Sequence, residues 1–134
     1  MEQQHMPTVQ RTERGWGGHF CGANRCRFRR NTLLECGDTR IVVSTVGLFE
    51  NIKGDGFTPI GFDRHFETMA FHAAFDGRYW DADVSRKVTF QSPWAIAEVD
   101  ADDRANDQHE AVVSEISAKL ADGHVYRPVA SEEI

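Results

Sequence analysis

The chain has 134 residues, of which 40% are hydrophobic and 27% are charged, a composition that suits one globular core but not two. No run approaches the roughly 20 apolar residues that a membrane-spanning helix needs, and the polar residues 1–14 contain no apolar stretch typical of a secretory signal. We therefore expect a single cytoplasmic domain with no membrane partner. The formal net charge of −6 argues against general nucleic-acid binding.

The charge is distributed unevenly along the chain. Residues 1–40 contain seven arginines and four acids, a balance of +3, whereas residues 41–134 contain eight basic residues and seventeen acids, a balance of −9. Such an asymmetry would let the protein bind an anion through its basic surface, while its acidic surface repels bulk nucleic acid or meets a basic protein. Alternatively, the two halves complement each other within one fold or within a homo-oligomer.

Both ends of the chain lack hydrophobic periodicity. We predict flexible tails over residues 1–14 and 127–134, which leaves a single domain over residues 15–126. Most of that domain has the β-branched and aromatic residues of short strands, separated by Gly and Asp.

Four arginines lie in the first predicted strand of the domain. Arg25, Arg27 and Arg29 alternate, so an extended backbone would present them on one face about 6.5 to 7 Å apart, and Arg30 follows directly. Guanidinium groups bind phosphate and carboxylate oxygens in bidentate fashion. The row therefore indicates an anion-binding strand, or else a solvated sheet edge whose arginines deter aggregation or pair with acids of the same chain.

The same early region contains three cysteines and a histidine: His19, Cys21, Cys26 and Cys36. Together they could supply four ligands for tetrahedral zinc, although their spacing differs from that of the usual zinc knuckle. Free buried thiols are the more ordinary interpretation in a cytoplasmic protein, and three cysteines cannot form a closed set of disulfides. We assign no metal site and no cofactor.

A first β-hairpin is predicted around a two-residue turn, Gly37-Asp38. Apolar residues occupy both faces near this turn, which indicates a central strand pair buried on both sides. The opposite charges of Glu35 and Arg40 favour a register that brings them together. That register pairs Cys36 with Thr39, Glu35 with Arg40, and Leu34 with Ile41.

A second hairpin is predicted around Asp76-Gly77, a strong turn signal between extended runs. If these two residues form the loop, His72 lies opposite Asp81 and diagonal to Asp83. The face expected to contact the core then carries Met69, Phe71, Ala73, Phe75, Trp80, Ala82 and Val84. The opposite face carries Thr68, Ala70, His72, Ala74, Tyr79, Asp81, Asp83 and Ser85.

The cluster of His72, Asp81 and Asp83 is a candidate site. A carboxylate opposite an imidazole orients the ring and raises its pKa, which suits general acid–base catalysis or hydrogen bonding to a sugar or base. A nucleotide could also stack on Tyr79 beside it. The ordinary alternative is a cross-strand pair on a solvated sheet face.

The last predicted element is an amphipathic helix over about residues 102–122. Its apolar positions follow the i, i+3, i+4 spacing, Asp102 or Asp103 is a suitable N-cap, and Gly123 fits the position after its end. We expect this helix to cover the buried face of an antiparallel sheet of hairpins, which gives an α+β fold. The stripe consists of Ala105, His109, Val112, Val113, Ile116 and Leu120.

Acidic residues are concentrated at the start of this helix, and Arg104 is the one basic residue among them. Acids in the first turn stabilise a helix through its dipole, which by itself accounts for Asp102 and Asp103. The alternative is a surface that docks on a basic groove intended for nucleic acid. The segment comprises Glu98, Asp100, Asp102, Asp103, Asp107 and Glu110.

Signatures of common enzyme classes are missing from the sequence. There is no His-Glu-x-x-His, no Gly-x-Ser-x-Gly and no Gly-x4-Gly-Lys-Ser/Thr motif, and these would indicate a zinc protease, an α/β-hydrolase and a phosphate-binding loop. We assign no catalytic residue. The enzymatic alternative is a small hydrolase or isomerase that uses His72 with Asp81 on a phosphorylated substrate.

Residues 15–47, GWGGHFCGANRCRFRRNTLLECGDTRIVVSTVG, residues 67–85, ETMAFHAAFDGRYWDADVS, and the closing acidic helix resemble small accessory proteins of bacteriophages and mobile elements, of the anti-defence, anti-CRISPR-like type. The resemblance is one of general texture over residues 15–126 and names no family. It implies a non-enzymatic inhibitor in the cytoplasm of an infected or element-carrying bacterium. Such an inhibitor binds a host defence protein complex or sequesters a nucleotide signal.

Each of these two mechanisms implies its own set of binding residues. Nucleotide sequestration would use the arginine row for the phosphates, and His72, Tyr79, Asp81 and Asp83 for the base or ribose. Docking on a defence complex would use the acidic segment, namely Asp100, Asp102, Asp103, Asp107 and Glu110. A third possibility is a homo-oligomer in which the basic strand of one copy meets the acidic helix of another.

Overall fold

The computed structural model describes residues 8–14, 25–51, 53–61 and 63–129. Within these residues, seven strands form one antiparallel sheet in the order β1-β2-β3-β5-β6, with β4 paired to β3 and β7 paired to β5. One C-terminal helix packs on the sheet, which confirms the predicted α+β fold. The elements are β1 (Gln10–Glu13), β2 (Cys26–Cys36), β3 (Thr39–Glu50), β4 (Phe57–Thr58), β5 (Phe66–Phe75), β6 (Trp80–Val88), β7 (Ala95–Ile96) and α1 (Asp102–Ala121).

Strand β1 and residue Val129 lie within the two segments that we assigned to tails. β1 pairs antiparallel with β2, and Arg11 lies opposite Leu34. At the other end, Val129 and Lys87 exchange two backbone hydrogen bonds of 2.8 and 3.1 Å. The tail boundaries at residues 14 and 127 were therefore wrong, because backbone pairing with β2 and β6 stabilises segments that have no hydrophobic pattern of their own.

The first hairpin has the predicted register. Cys36 lies opposite Thr39, and Glu35 lies opposite Arg40, with 3.0 Å between Arg40 Nε and Glu35 Oε2. Gly37 has a φ of 59°, a conformation that glycine adopts without steric cost. The strand pair is central in the sheet and buried on both faces, as expected.

The second hairpin differs from its predicted register. Its loop spans residues 76–79, because the Asp76 carboxylate accepts hydrogen bonds from the backbone N–H groups of Arg78 and Tyr79. Phe75 therefore pairs with Trp80, and Asp81 lies opposite Ala74. An irregularity follows, in which residues 83–86 of β6 lie opposite the single residue His72. The predicted pairing of His72 with Asp81 was wrong.

The helix covers the sheet face opposite to the one that we expected. Its apolar stripe packs on Leu34, Ile41, Val43, Ala70 and Val88, whereas Phe71 and Ala73 are buried on the other face. Phe75 and Val84, which we placed in the core, are 55% and 51% exposed. The prediction was wrong because the helix-covered face carries threonines. These residues are buried and hydrogen-bonded in the structure, but in the sequence they resemble the polar residues of a solvated face.

Helix α1 begins after Ala101, whose side chain cannot cap the first turn. The predicted N-cap residues, Asp102 and Asp103, are instead the first two helical residues, where their charges still complement the helix dipole. Among the described residues, no helix combines the length and apolar character needed to cross a membrane.

Candidate functional site

Arg30 and Glu110, which we assigned to two different binding surfaces, are bonded to each other. The Arg30 guanidinium lies 2.8 Å from Glu110 and 2.7 Å from Glu13. Arg11 forms a bidentate pair with Glu110 at 2.5 and 2.8 Å, and this hydrogen bonding, together with that from Arg30, lowers the pKa of Glu110 to about 2. These four residues, the ionic cluster, join β1, β2 and α1. For Arg30 and Glu110, the two charged halves of the chain therefore complement each other within the fold.

The other three arginines do not form one anion site with Arg30. Arg25 lies over the Phe49 ring at 5.3 Å, and Arg27 is paired with Glu50 at 2.5 Å. Arg29 is half-buried. The strand thus distributes its positive charge among several local partners.

Of the remaining residues of the predicted nucleotide site, His72 and Asp83 are near enough for each charge to affect the pKa of the other, but each of the four side chains has its own local partner. His72 Nε2 lies 3.0 Å from the Tyr126 carbonyl oxygen, and burial and the nearby Arg86 charge lower the pKa of His72. Asp81 accepts a hydrogen bond from the Ala82 N–H, Asp83 accepts two from Ser85, and Tyr79 lies under the Arg14 guanidinium at 4.3 Å. The constellation that would read a base or ribose is not assembled.

Four carboxylates of the acidic segment are not used within the described part of the fold: those of Asp100, Asp102, Asp103 and Asp107. All four residues are exposed, and within the described residues their side chains form no hydrogen bond or ion pair. The one basic residue among them, Arg104, is bonded to Glu98 at 3.2 Å. These carboxylates are therefore uncompensated.

Exposed apolar residues lie beside these carboxylates in the chain. Trp94 is 46% exposed and Val99 is 39% exposed. A neighbouring groove of about 380 Å³ is lined by Asp107 and Arg104 together with Pro93, Ala95, Ile96, Gln108 and Ala111. We call Asp100, Asp102, Asp103 and Asp107, with Trp94, Val99 and this groove, the acidic surface.

A buried polar network fixes α1 on the sheet. His109 is fully buried, with its Nε2 2.7 Å from Thr32 Oγ1 and its Nδ1 2.7 Å from Thr45 Oγ1. Thr68 Oγ1 lies 2.8 Å from Thr45 Oγ1 and accepts a hydrogen bond from Gln108. Burial and the Arg30 charge lower the pKa of His109 to about 4, so the ring is neutral at physiological pH.

Our sequence analysis placed His109 in the apolar stripe and missed its hydroxyl partners. The available signal was a threonine inside each of three strands: Thr32 in β2, Thr45 in β3 and Thr68 in β5. A neutral imidazole held by two hydroxyls has no open position for a substrate, so its role is to position the helix.

The cysteines do not form the zinc site that we considered. Cys26 and Cys36 occupy the two ends of β2, which places them roughly 33 Å apart along the strand, too far for one ion. His19 and Cys21 lie outside the described residues. Within the described residues, no group of three or more His, Cys, Asp or Glu side chains is arranged for a metal ion. Burial raises the pKa of Cys26 to about 11, which keeps it a thiol.

No family model, curated protein or solved structure matches the chain. Among the predicted clusters, the acidic surface is the one whose charges are left exposed and uncompensated by the fold. Its combination of carboxylates with an exposed tryptophan suits association with a basic, partly apolar surface.

Proposed function

We propose that this protein is a non-enzymatic inhibitor of a bacterial defence complex, and that its acidic surface occupies a basic groove that the complex uses for nucleic acid. The observation that carries the proposal is the exposed, uncompensated state of Asp100, Asp102, Asp103 and Asp107. The resemblance to anti-defence proteins of phages and mobile elements supplies the biological setting.

Helix stability accounts for only part of these charges. Asp102 and Asp103 in the first turn favour the helix through its dipole. Asp103 and Asp107, however, stand four residues apart on one helix face, where like charges destabilise a helix by about 0.2–0.5 kcal/mol. The spacing of Asp103 and Asp107 is therefore better explained by a role outside the fold.

The neighbouring apolar residues support a protein partner. Charge complementarity mainly accelerates association and selects the partner, whereas binding free energy is concentrated in a few aromatic or apolar anchors. Trp94 and Val99 provide such anchors beside the carboxylates. The Arg64 guanidinium lies 4.7 Å from the Trp94 ring centroid and restricts the ring before a partner arrives.

The geometry gives less support to the alternatives. Nucleotide sequestration needs phosphate and base contacts in one place, and the eight residues that we assigned to it do not converge. A hydrolase would need the His72–Asp81 pair, which the register of β5 and β6 separates. An oligomer joined by Arg30 and Glu110 competes with the bonds that these residues already make within one copy.

The experiment is a phage-plating assay in a panel of bacterial strains, each carrying one nucleic-acid-binding defence complex. We expect the wild-type protein to restore plating of a targeted phage in at least one strain. The variant Asp102→Lys with Asp103→Lys changes the net charge from −6 to −2 and should abolish this effect by repelling a basic groove.

A matched control carries the same charge change elsewhere. Asp38→Lys with Asp122→Lys alters two exposed aspartates, one in the β2–β3 turn and one just after α1, and should retain activity. The proposal fails if no strain responds, or if both double variants behave alike.

A further inference from the structure

A second cleft lies at the other end of α1 from the acidic surface. It has a volume of about 620 Å³, within the range of small-molecule sites. Its walls are the last turns of α1, residues 124–129 and residues 89–91. The cleft uses none of the residues assigned to the proposed function.

Hydrogen bonds fix the walls of this cleft. Gly123, with a φ of 82°, lets the chain leave the helix, and the His124 N–H donates to the Lys119 carbonyl at 2.9 Å. Val129 is paired with Lys87 on β6. Glu115 accepts hydrogen bonds from the backbone N–H groups of Gln91 and Ser92. The cleft is therefore present before any ligand binds, which reduces the free-energy cost of binding.

The charged groups of the cleft favour an anion. Lys119 and Arg127 line it, and His124 adds a third nitrogen base. Glu115 is the acidic residue among the lining residues, and its carboxylate already accepts three hydrogen bonds from residues 91 and 92. Burial alone would raise the pKa of Glu115, but these hydrogen bonds lower it. An excess of positive charge is notable in a chain whose net charge is −6.

Tyr126 adds a separate observation. Tyr126 is 8% exposed, and its buried hydroxyl has no hydrogen-bond partner among the described residues. A buried hydroxyl without a partner destabilises a protein. Burial and the Glu115 charge raise the pKa of Tyr126 to about 12, so the group remains a proton donor. The His124 ring meets the Tyr126 ring edge-on at 4.6 Å.

We propose that this cleft binds a small organic anion, phosphorylated or carboxylated, that also carries an aromatic or apolar group. The anionic group interacts with Lys119 and Arg127, and the Tyr126 ring forms part of the wall. The apolar part packs on Phe90 and on Val125, which is 76% exposed and lines the same cleft.

Isothermal titration calorimetry of the purified protein tests this site with three probes: phenyl phosphate, benzoate and inorganic phosphate. We expect phenyl phosphate or benzoate to bind with a Kd of about 1 mM. Inorganic phosphate should bind at least about 10-fold more weakly, because it lacks the apolar group. The stronger of the two organic probes identifies the anion as phosphate or carboxylate. Absence of binding by both organic probes overturns the proposal.

Variants locate the binding. Lys119→Gln with Arg127→Gln should weaken the organic probe by about 10-fold or more, because charge-assisted hydrogen bonds are lost. Tyr126→Phe removes only a buried hydroxyl, so it should bind the probe as the wild type does. The control Lys53→Gln with Arg78→Gln removes two exposed positive charges elsewhere and should bind as the wild type does.

Two further results show whether anion binding at the cleft is independent of the acidic surface. Asp102→Lys with Asp103→Lys should leave probe binding unchanged, although it is expected to abolish the restoration of phage plating. Failure of the proposed function can therefore be distinguished from failure of the anion site. Equal binding by the wild type and by Lys119→Gln/Arg127→Gln would overturn the proposal.

Discussion

The charged and polar side chains on the inner face of α1 have a different role from those on its outer face. On the inner side, Glu110 is bonded to two arginines, and His109 is held between two threonine hydroxyls. On the outer side, Asp102, Asp103 and Asp107 have no partner among the described side chains. Polar groups next to the sheet are thus part of the fold, whereas those at the exposed start of the helix are available for a partner.

The largest effect on stability should come from breaking the inner face at His109. His109→Ala leaves a cavity and removes the partners of Thr32 and Thr45 in the core, so we expect the free energy of unfolding to fall by about 3–5 kcal/mol. Urea denaturation followed by circular dichroism measures this loss. The exposed control Ser114→Ala on the same helix should change stability by less than about 0.5 kcal/mol. Similar losses in both variants would contradict the assigned role of His109.

A second test uses pH in place of mutation. The pKa of His109 is about 4 in the folded protein and close to 6.5 in the unfolded chain. Between these values the unfolded state binds more protons, so stability falls as the pH is lowered from 6.5 to 4, by up to about 3 kcal/mol. Stability curves for wild type and His109→Ala should converge across this window, and parallel curves would contradict the account.

Below that window a different group should dominate. Glu110 has its pKa lowered to about 2, so the stabilisation from its ion pairs is present above about pH 4.5 and is lost as the pH falls further. The Glu110→Gln variant should therefore lose less stability than the wild type on acidification through this range. Equal losses would show that the ionic cluster does not stabilise the fold.

The arginine strand offers a test of intermediate size. Arg30 contacts Glu13, Glu110 and Asn106 and is 22% exposed, whereas Arg27 is 67% exposed and pairs with Glu50. We expect Arg30→Gln to lower the free energy of unfolding by about 1–2 kcal/mol and Arg27→Gln by less than about 0.5 kcal/mol, as is usual for an exposed pair. Thermal denaturation of the two variants measures the difference, which should shrink at high salt.

The smallest effect on stability is expected on the outer face. Asp107→Lys removes a like-charge repulsion with Asp103, so stability should change by less than about 0.5 kcal/mol. The ability to restore phage plating should nevertheless decrease, because one carboxylate of the acidic surface becomes a cation. A variant that folds normally and protects fully would weaken the assignment of Asp107 to the partner surface.

The sequence was informative where local chemistry determines structure. The turn at Gly37-Asp38, the Glu35–Arg40 pair and the helix pattern each depend on near neighbours, and all three agree with the structure. The second hairpin was mispredicted because the Asp76 side chain stabilises a longer loop. Next to the loop the register is shifted by two residues, which preserves the strand faces but changes every cross-strand partner. Beyond the irregularity at His72 the shift is five residues, so the two faces of β6 are exchanged there.

Other features depend on contacts between distant segments and could not be read from one strand or helix. The bonds of Arg30 with Glu110 join residues far apart in the chain, and the burial of His109 depends on threonines from three strands. The cleft at the end of α1 forms because residues 124–129 return to β6, a segment that has little hydrophobic pattern. The four aspartates of the acidic surface are close together in the sequence, so their clustering could be read from it, whereas the neighbouring groove could not.

The most direct test is a competition assay with the purified defence complex from a strain in which the protein restores plating. The complex is first bound to its labelled nucleic acid, and the protein is then added at increasing concentrations. We predict displacement of the nucleic acid by the wild type and by Asp38→Lys/Asp122→Lys, and at least about 100-fold weaker displacement by Asp102→Lys/Asp103→Lys. Displacement by all three proteins at the same concentration, or by none, would contradict the account.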